Sequence, residues 1–200
     1  KSVPMADLLV EAELLARKGV KELLLIAQEL TYYGIDLYQD RKLPELIERL
    51  SKVNGIEWIR LHYAYPTNFP LELLDVIKNN PKVCNYLDLP LQHISSNVLK
   101  NMRRNISENQ TRDLVARIRK EIPGLALRTT MLVGHPGETE EDFELLIDFI
   151  KETKFDRLGV FPYSHEEDTH GFRAHNDEIP QEVKEARAER VMEVQQLISE

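Results

Sequence analysis

Five short stretches of this 200-residue chain gather most of the residues able to hold a ligand. They are Gln28-Glu29-Leu30-Thr31, Tyr63-Ala64-Tyr65-Pro66, Pro90-Leu91-Gln92-His93, Gly134-His135-Pro136-Gly137-Glu138 and Pro162-Tyr163-Ser164-His165. All five are rich in hydrogen-bonding or aromatic groups. The glycines around Pro136 would let a backbone approach a ligand, with the N–H groups of a following helix facing an anion. The same glycines would also serve a tight turn before a capped helix. No Gly-Lys-Ser/Thr follows them, so the spacing is not that of a nucleotide P-loop.

Other chemistry is weaker. His165-Glu166-Glu167-Asp168-Thr169-His170 contains metal-ligand types, but its histidines are five apart rather than in helical His-x-x-x-His spacing. No metal site is assigned to it. His93 and His135 lie in the five stretches and suit ligand contact, whereas His62 falls in strand register. No Ser-His-Asp or Cys-His set can be assembled from spacing, so no catalytic residue is assigned. The lone cysteine, Cys84, can form neither an internal disulfide nor a cluster site and reads as a small buried hydrophobe. Asp88 and Arg128 are charged residues inside apolar strands. Buried charge needs a partner, so both should face a barrel lumen, as an internal ion pair or as ligand contacts.

The elements that position these stretches alternate. Apolar residues at Met5, Leu8, Leu9, Ala12, Leu15 and Ala16 have helical spacing over Pro4 to Lys18. Strands are predicted at Glu22–Gln28, Trp58–Tyr63, Tyr86–Leu91, Leu125–Val133 and Arg157–Phe161. Helices are predicted at Leu43–Leu50, Leu71–Asn79, Val98–Met102, Ser107–Lys120 and Thr139–Lys151. Ser107 with Gln110 and Thr139 with Asp142 resemble capping boxes. Ser164 to Glu178 reads as loop. Pro180 to the C-terminus reads as one amphipathic helix with Val183, Val191, Val194 and Ile198 on its apolar face.

Strands that each lead into a helical crossover imply a parallel sheet and the α/β class. In such folds ligands bind at the carboxyl ends of the strands, where all five stretches lie. The expected architecture is a partial, TIM-like (β/α)6 barrel with five strands present and a C-terminal helix. The chain opens on Lys1 and on a helix, where a βα repeat should open on a strand. Residues 1–200 are therefore expected to be one truncated core domain lacking its first strand. An edge left open in that way pairs readily with another chain, so a dimer through it is an expectation too.

Composition bounds the partners. The formal net charge of −8 disfavours nucleic acid as a partner of this domain. Arg103, Arg104, Arg112, Arg117, Arg119 and Lys120 form the densest basic run, which reads as a solvated helix face. No apolar run approaches the ~20 residues of a membrane span, and there is no secretory signal. The expected setting is the cytoplasm, with no membrane partner.

Taken in order, the segments resemble a known family. Leu25-Ile26-Ala27-Gln28-Glu29-Leu30-Thr31-Tyr32-Tyr33-Gly34, Tyr65-Pro66, Tyr86-Leu87-Asp88-Leu89-Pro90-Leu91-Gln92-His93, Arg103-Arg104, Leu132-Val133-Gly134-His135-Pro136-Gly137-Glu138-Thr139 and Phe161-Pro162-Tyr163-Ser164-His165-Glu166-Glu167 resemble the radical-SAM domain of methylthiotransferases. The first and last stretches are most similar to the branch that modifies a ribosomal protein; the sister branch acts on a tRNA adenosine. The resemblance implies that the full-length parent uses S-adenosylmethionine and two 4Fe–4S clusters. It implies methylthiolation of an aspartate β-carbon in a small-subunit ribosomal protein. It also implies an N-terminal cluster domain and a C-terminal small β-barrel domain, both absent from this chain.

The family's cluster-binding Cys-x-x-x-Cys-x-x-Cys loop is absent from the sequence, so no bound cofactor is expected on this chain alone and the fragment should be inactive. His135 also departs from the aromatic usual at its position. Carried over position by position, the resemblance assigns Gln28 to the amino-acid part of S-adenosylmethionine and Gln92 to its ribose or carboxylate. Arg128 and Gly134 fall to the methionine or adenine side, and Phe161 lies near the adenine. A non-catalytic α/β binding module is the reading from another class.

Overall fold

The computed structural model describes residues 1–200, except for the side chain of His170. Its residues cluster into two compact units. The first comprises residues 1–89 and 118–125, and the second residues 90–117 and 126–200.

The first unit opens with α1 (Met5–Arg17), which starts after Pro4 and is closed at Gly19, left-handed at φ +89°. Strand β1 (Glu22–Leu25) follows, then a 3-10 turn at Leu30–Tyr32, the short α2 (Ile35–Tyr38) and α3 (Leu43–Ser51). Strand β2 (Trp58–Leu61), α4 (Glu72–Asn79) and β3 (Val83–Asp88) complete it. The strands run parallel, with Leu23 beside Ile59 and Leu25 beside Leu61. Leu61 lies in turn beside Leu87, across an irregularity in the β2–β3 register. One face is buried: Ile59, Leu61 and Leu87 are wholly inaccessible, as are Leu43, Ile47 and Leu73 of α3 and α4. The opposite face carries Glu22, Leu24, Trp58 and Arg60, with Leu24 and Trp58 about half exposed.

The second unit contains α5 (Ser96–Asn101), the first turns of α6 (Glu108–Glu121), β4 (Ala126–Val133), α7 (Glu140–Thr153), β5 (Arg157–Pro162), α8 (His170–Ala174) and α9 (Gln181–Ser199). Strands β4 and β5 are parallel, in register from Arg128 beside Arg157 to Val133 beside Pro162. Strand β4 alternates strictly: Leu127, Thr129, Met131 and Val133 are buried, whereas Ala126, Arg128, Thr130 and Leu132 are half-buried on the other face. Both capping boxes form. Ser107 and Gln110 exchange side chain-to-backbone bonds at 2.9 and 3.3 Å. Thr139 and Asp142 do the same at 3.1 and 3.2 Å.

The α/β class and the five parallel strands are as the alternation implies. Several local expectations change: β1 ends at Leu25 rather than Gln28 and β2 at Leu61 rather than Tyr63. Strand β3 runs Val83–Asp88 rather than Tyr86–Leu91; Pro90 has no N–H to give a ladder, and Val83 pairs with Ile59 instead. The stretch expected to be loop contains α8, capped by Thr169 Oγ1, which accepts the Phe172 N–H at 3.2 Å.

Helix α9 buries only part of the valine face: Val191 fully, Val194 and Ile198 partly. Its buried residues are Lys184, Arg187, Val191 and Gln195, while Val183 is exposed. Spacings of three and four place those four on one face. Their polar ends have partners: Asp177 for Lys184, Glu138 and Glu140 for Arg187, and the Phe155 carbonyl for Gln195.

The Lys184 stem lies across Gly134, which is left-handed at φ +74°, and a Cβ built there would overlap Lys184 Cβ and Cγ. Gly134→Ala therefore meets both backbone strain and overpacking. It should cost about 3 kcal/mol in chemical denaturation. A loss under about 0.5 kcal/mol would mean that α9 does not press on this turn.

Candidate functional site

The carboxyl ends of the strands in each unit carry the candidate site residues. In the first unit, Gln28 sits exposed in the turn after β1. It lines a cleft of about 1030 Å³, along with Ile26, Leu24 and Glu29, and with Leu8 and Leu15 of α1.

At the end of β2 the backbone is unusual. Tyr63 is left-handed at φ +60° and 46% exposed. Asp88, wholly buried, accepts the Tyr63 N–H at 3.3 Å, and its own carbonyl accepts the Ala64 N–H at 2.9 Å. His62 stands beside this carboxylate, Nδ1 to Oδ2 3.8 Å, and tilts against Tyr86 with ring centroids 5.5 Å apart. Arg60 is engaged by Glu22 at 2.6 Å and lies over the Tyr86 ring. Asp88 therefore faces the polar side of this sheet, as its place in an apolar strand implies.

In the second unit, Gln92 is also left-handed, at φ +71°. Its N–H donates to Thr130 O at 2.8 Å, and its carbonyl accepts from Leu132 N–H at 2.7 Å. This docks the segment on the end of β4. Arg128, Thr130 and Leu132 share the open face of β4. Leu132 is the register partner of Phe161, which is 61% exposed. Side chains that pair across a sheet stand on the same face. Arg128, Thr130, Leu132 and Phe161 therefore form one surface, cationic and hydroxylic below and apolar above, with Gln92 at its edge.

Gly134 lies in the turn after β4, and its N–H is taken by Glu138 Oε2 at 2.8 Å. Its missing side chain makes room for Lys184. His135 packs edge-on against Tyr163, ring centroids 5.0 Å apart, and against His175 at 5.8 Å. It thus fills an aromatic position with an aromatic ring.

Beneath this rim is a cluster that no spacing signal marks. Glu138 is buried and bonded by Arg187 at 2.8 Å. Burial pushes its carboxyl up to about 7, against the pull of Arg187 and the Gly134 N–H. His93, also wholly buried, accepts the Ser95 N–H at Nδ1, and its Nε2 stands 3.6 Å from Glu138 without a hydrogen bond. Desolvation lowers its pKa to about 4, so the ring is neutral. Asp142 receives bonds from Ser95 and Asn97 and ties α5 to the head of α7. The sequence carries a trace of the cluster only in Glu138, four residues after a glycine, and in the basic residues of α9.

Among the described residues no three His, Cys, Asp or Glu side chains converge as a metal site. His165 bonds Tyr163 Oη at 3.1 Å and stacks on Phe172; the His170 side chain lies outside the described residues. Cys84 is free and half-buried, and burial raises its pKa.

These features were compared with known proteins. Residues 1–150 match the family model "Radical SAM superfamily", and the chain belongs to that superfamily. Among curated relatives, "Ribosomal protein uS12 methylthiotransferase RimO" of Christiangramia forsetii is 58% identical over 199 residues, covering 100% of this chain and 44% of the relative. The protein of the same name from Bacteroides thetaiotaomicron is 55% identical over 99% of this chain and 45% of the relative. The chain thus spans less than half the length of these relatives.

The fold is shared with solved enzyme structures. Coproporphyrinogen III oxidase (HemN) from Escherichia coli matches with TM-score 0.66 and 20% identity, over 94% of this chain and 44% of that one. Methylornithine synthase (PylB) matches with TM-score 0.63 and 16% identity, over 96% and 54%.

The Glu138–Arg187 pair can be tested by pH. At pH 8 Arg187→Ala leaves a buried carboxylate without its cation and should cost about 3 kcal/mol or more. At pH 5, below about 7, Glu138 carries its proton and needs no cation, so the cost should fall. Denaturation curves at the two pH values read this. Equal losses would show that Glu138 stays ionised across the range.

Proposed function

We propose that this chain is the core of a radical-SAM methylthiotransferase that modifies an aspartate β-carbon in the small-subunit ribosomal protein uS12. One observation carries the proposal: more than half the residues are identical, over nearly the whole chain, to relatives bearing that name.

The cofactors implied are S-adenosylmethionine and two 4Fe–4S clusters in the full-length parent. When bound, they supply the radical chemistry; the protein binds and orients them. One cysteine, and no converging ligand set among the described residues, mean that the residues present do not fit a cluster. They do fit S-adenosylmethionine, a zwitterion joined to a flat purine. In this proposal Arg128 and Gln92 hold its polar part, and Phe161 with Leu132 supplies the apolar wall. Gly134 shapes the adjoining turn; Gln28, in the first unit, is assigned to the cofactor by the family resemblance alone.

The sister reaction, on a tRNA adenosine, is less well supported. The net charge is −8, and in the basic run Arg112 is paired with Glu108 and Glu152. Arg104 bonds the Pro90 carbonyl. No described helix is long and apolar enough to cross a membrane, which accords with a cytoplasmic setting. Strand β1 pairs with β2 on one side, which supports association of a further chain at its other edge.

Mass spectrometry of a strain lacking the parent gene tests the assignment. The methylthio group should vanish from the ribosomal protein and persist on tRNA; loss from tRNA alone overturns the proposal. In the full-length enzyme, Phe161→Ala should raise the KM for S-adenosylmethionine roughly tenfold, the value of a buried aromatic contact. An unchanged KM would remove Phe161 from the site.

A further inference from the structure

Tyr63 presents a specific physical problem. Extended backbone would continue the alternation Ile59, Leu61, Tyr63 and send the ring toward the buried face. Instead the residue is left-handed, a conformation costly for a bulky side chain, and its ring is 46% exposed. Three hydrogen bonds hold the turn. The Tyr63 N–H goes to Asp88 Oδ2, the Tyr63 carbonyl accepts from Leu30 N–H at 3.3 Å, and the Ala64 N–H goes to Asp88 O. Ala64, the next residue, is wholly buried and takes the inward place. Strain held in this way at the carboxyl end of a barrel-type strand marks a functional position.

His62 is the neighbour this turn exposes. Its side chain is 22% accessible, and its Nδ1 edge faces the buried Asp88 carboxylate. With its Nδ1 edge turned to that carboxylate, the imidazole presents its other nitrogen away from it. The phenol of Tyr63 is a second donor. The nearby guanidinium of Arg60 is already taken by Glu22 and covers Tyr86. What remains at the end of β2 is an imidazole and a phenol, two accessible groups able to donate to an anionic acceptor.

We propose that His62 and Tyr63, set in place by Asp88, form a recognition point for the side-chain carboxylate of the acidic residue that the enzyme modifies. This deepens the function proposed above and rests on it for the identity of the substrate. In these terms His62 and Tyr63 are specificity-determining contacts, and Asp88 is a positioning residue that acts through both.

The test uses the complete 200-residue chain and two small probes, N-acetyl-aspartate N-methylamide and its asparagine counterpart. NMR of the histidine rings follows each titration. The aspartate probe should shift the His62 ring signals saturably and bind about tenfold more tightly than the asparagine probe. His62→Ala should reduce aspartate binding to the asparagine level, and His62→Gln, which keeps a donor, should restore part of it. Unchanged far-ultraviolet circular dichroism establishes that the variants are folded. Equal shifts with both probes, or aspartate selectivity that survives His62→Ala, overturn the proposal. The outcome is separable from the function assignment. A parent that leaves uS12 unmodified would refute the assignment even with a selective His62. A parent that modifies uS12 with unchanged substrate KM in His62→Ala would refute the recognition point alone.

Discussion

The second unit is organised around a carboxylate with no solvent to turn to. Glu138 is buried, so each of its oxygens must be satisfied from within. One takes the Gly134 N–H and the other takes Arg187. The first bond closes the turn after β4; the second brings in α9 from the far end of the chain. Remove the guanidinium and the carboxylate must take up a proton or break the turn. The shape of the rim above it therefore depends on a residue nearly fifty positions away.

That dependence explains why α9 buries polar groups. An apolar face of Val183, Val191, Val194 and Ile198 would have packed more strongly but with little preference for register. Lys184, Arg187 and Gln195 each bond specific partners, which fixes the register of α9. Buried ion pairs of this kind add little net stability, because desolvation offsets the attraction. What they supply is uniqueness. Lys184 shows the geometric consequence: its stem fills the space that Gly134 leaves empty, and only glycine permits that approach. The glycine read from sequence as open to a ligand is also, on its other side, occupied by the protein itself.

Much of this was legible in the sequence, and what was not has a physical pattern. Alternation of apolar runs with helical spacing located all five strands, because the buried face of each strand must be apolar and each crossover helical. Capping boxes set the starts of α6 and α7 because they are local. Asp88 and Arg128 announced a polar sheet face because a charge in an apolar strand needs one. The β3 boundary was misplaced because apolarity continues past Asp88 while hydrogen bonding does not. The buried polar residues of α9 were missed because ion pairing between distant residues leaves no periodic signature. Left-handed Tyr63 was invisible for a related reason: nothing in its own neighbourhood demands it, only the carboxylate of Asp88 on the next strand.

Both units thus place strained residues at strand ends, Tyr63 in the first and Gln92 in the second. In each case the strain is held by hydrogen bonds from an adjacent strand rather than by local sequence. Tyr63 answers to Asp88, and Gln92 is bracketed by Thr130 and Leu132. A left-handed residue ends the ladder and turns the following side chains out of strand alternation, which frees a polar group at the mouth of the sheet. The cost, on the order of 1–2 kcal/mol per residue, falls where a ligand or substrate contact would use it. A strand that simply ended in a flexible loop would spare that cost and lose the fixed direction. Each strand end is therefore fixed in direction by hydrogen bonds across the sheet rather than by its own sequence.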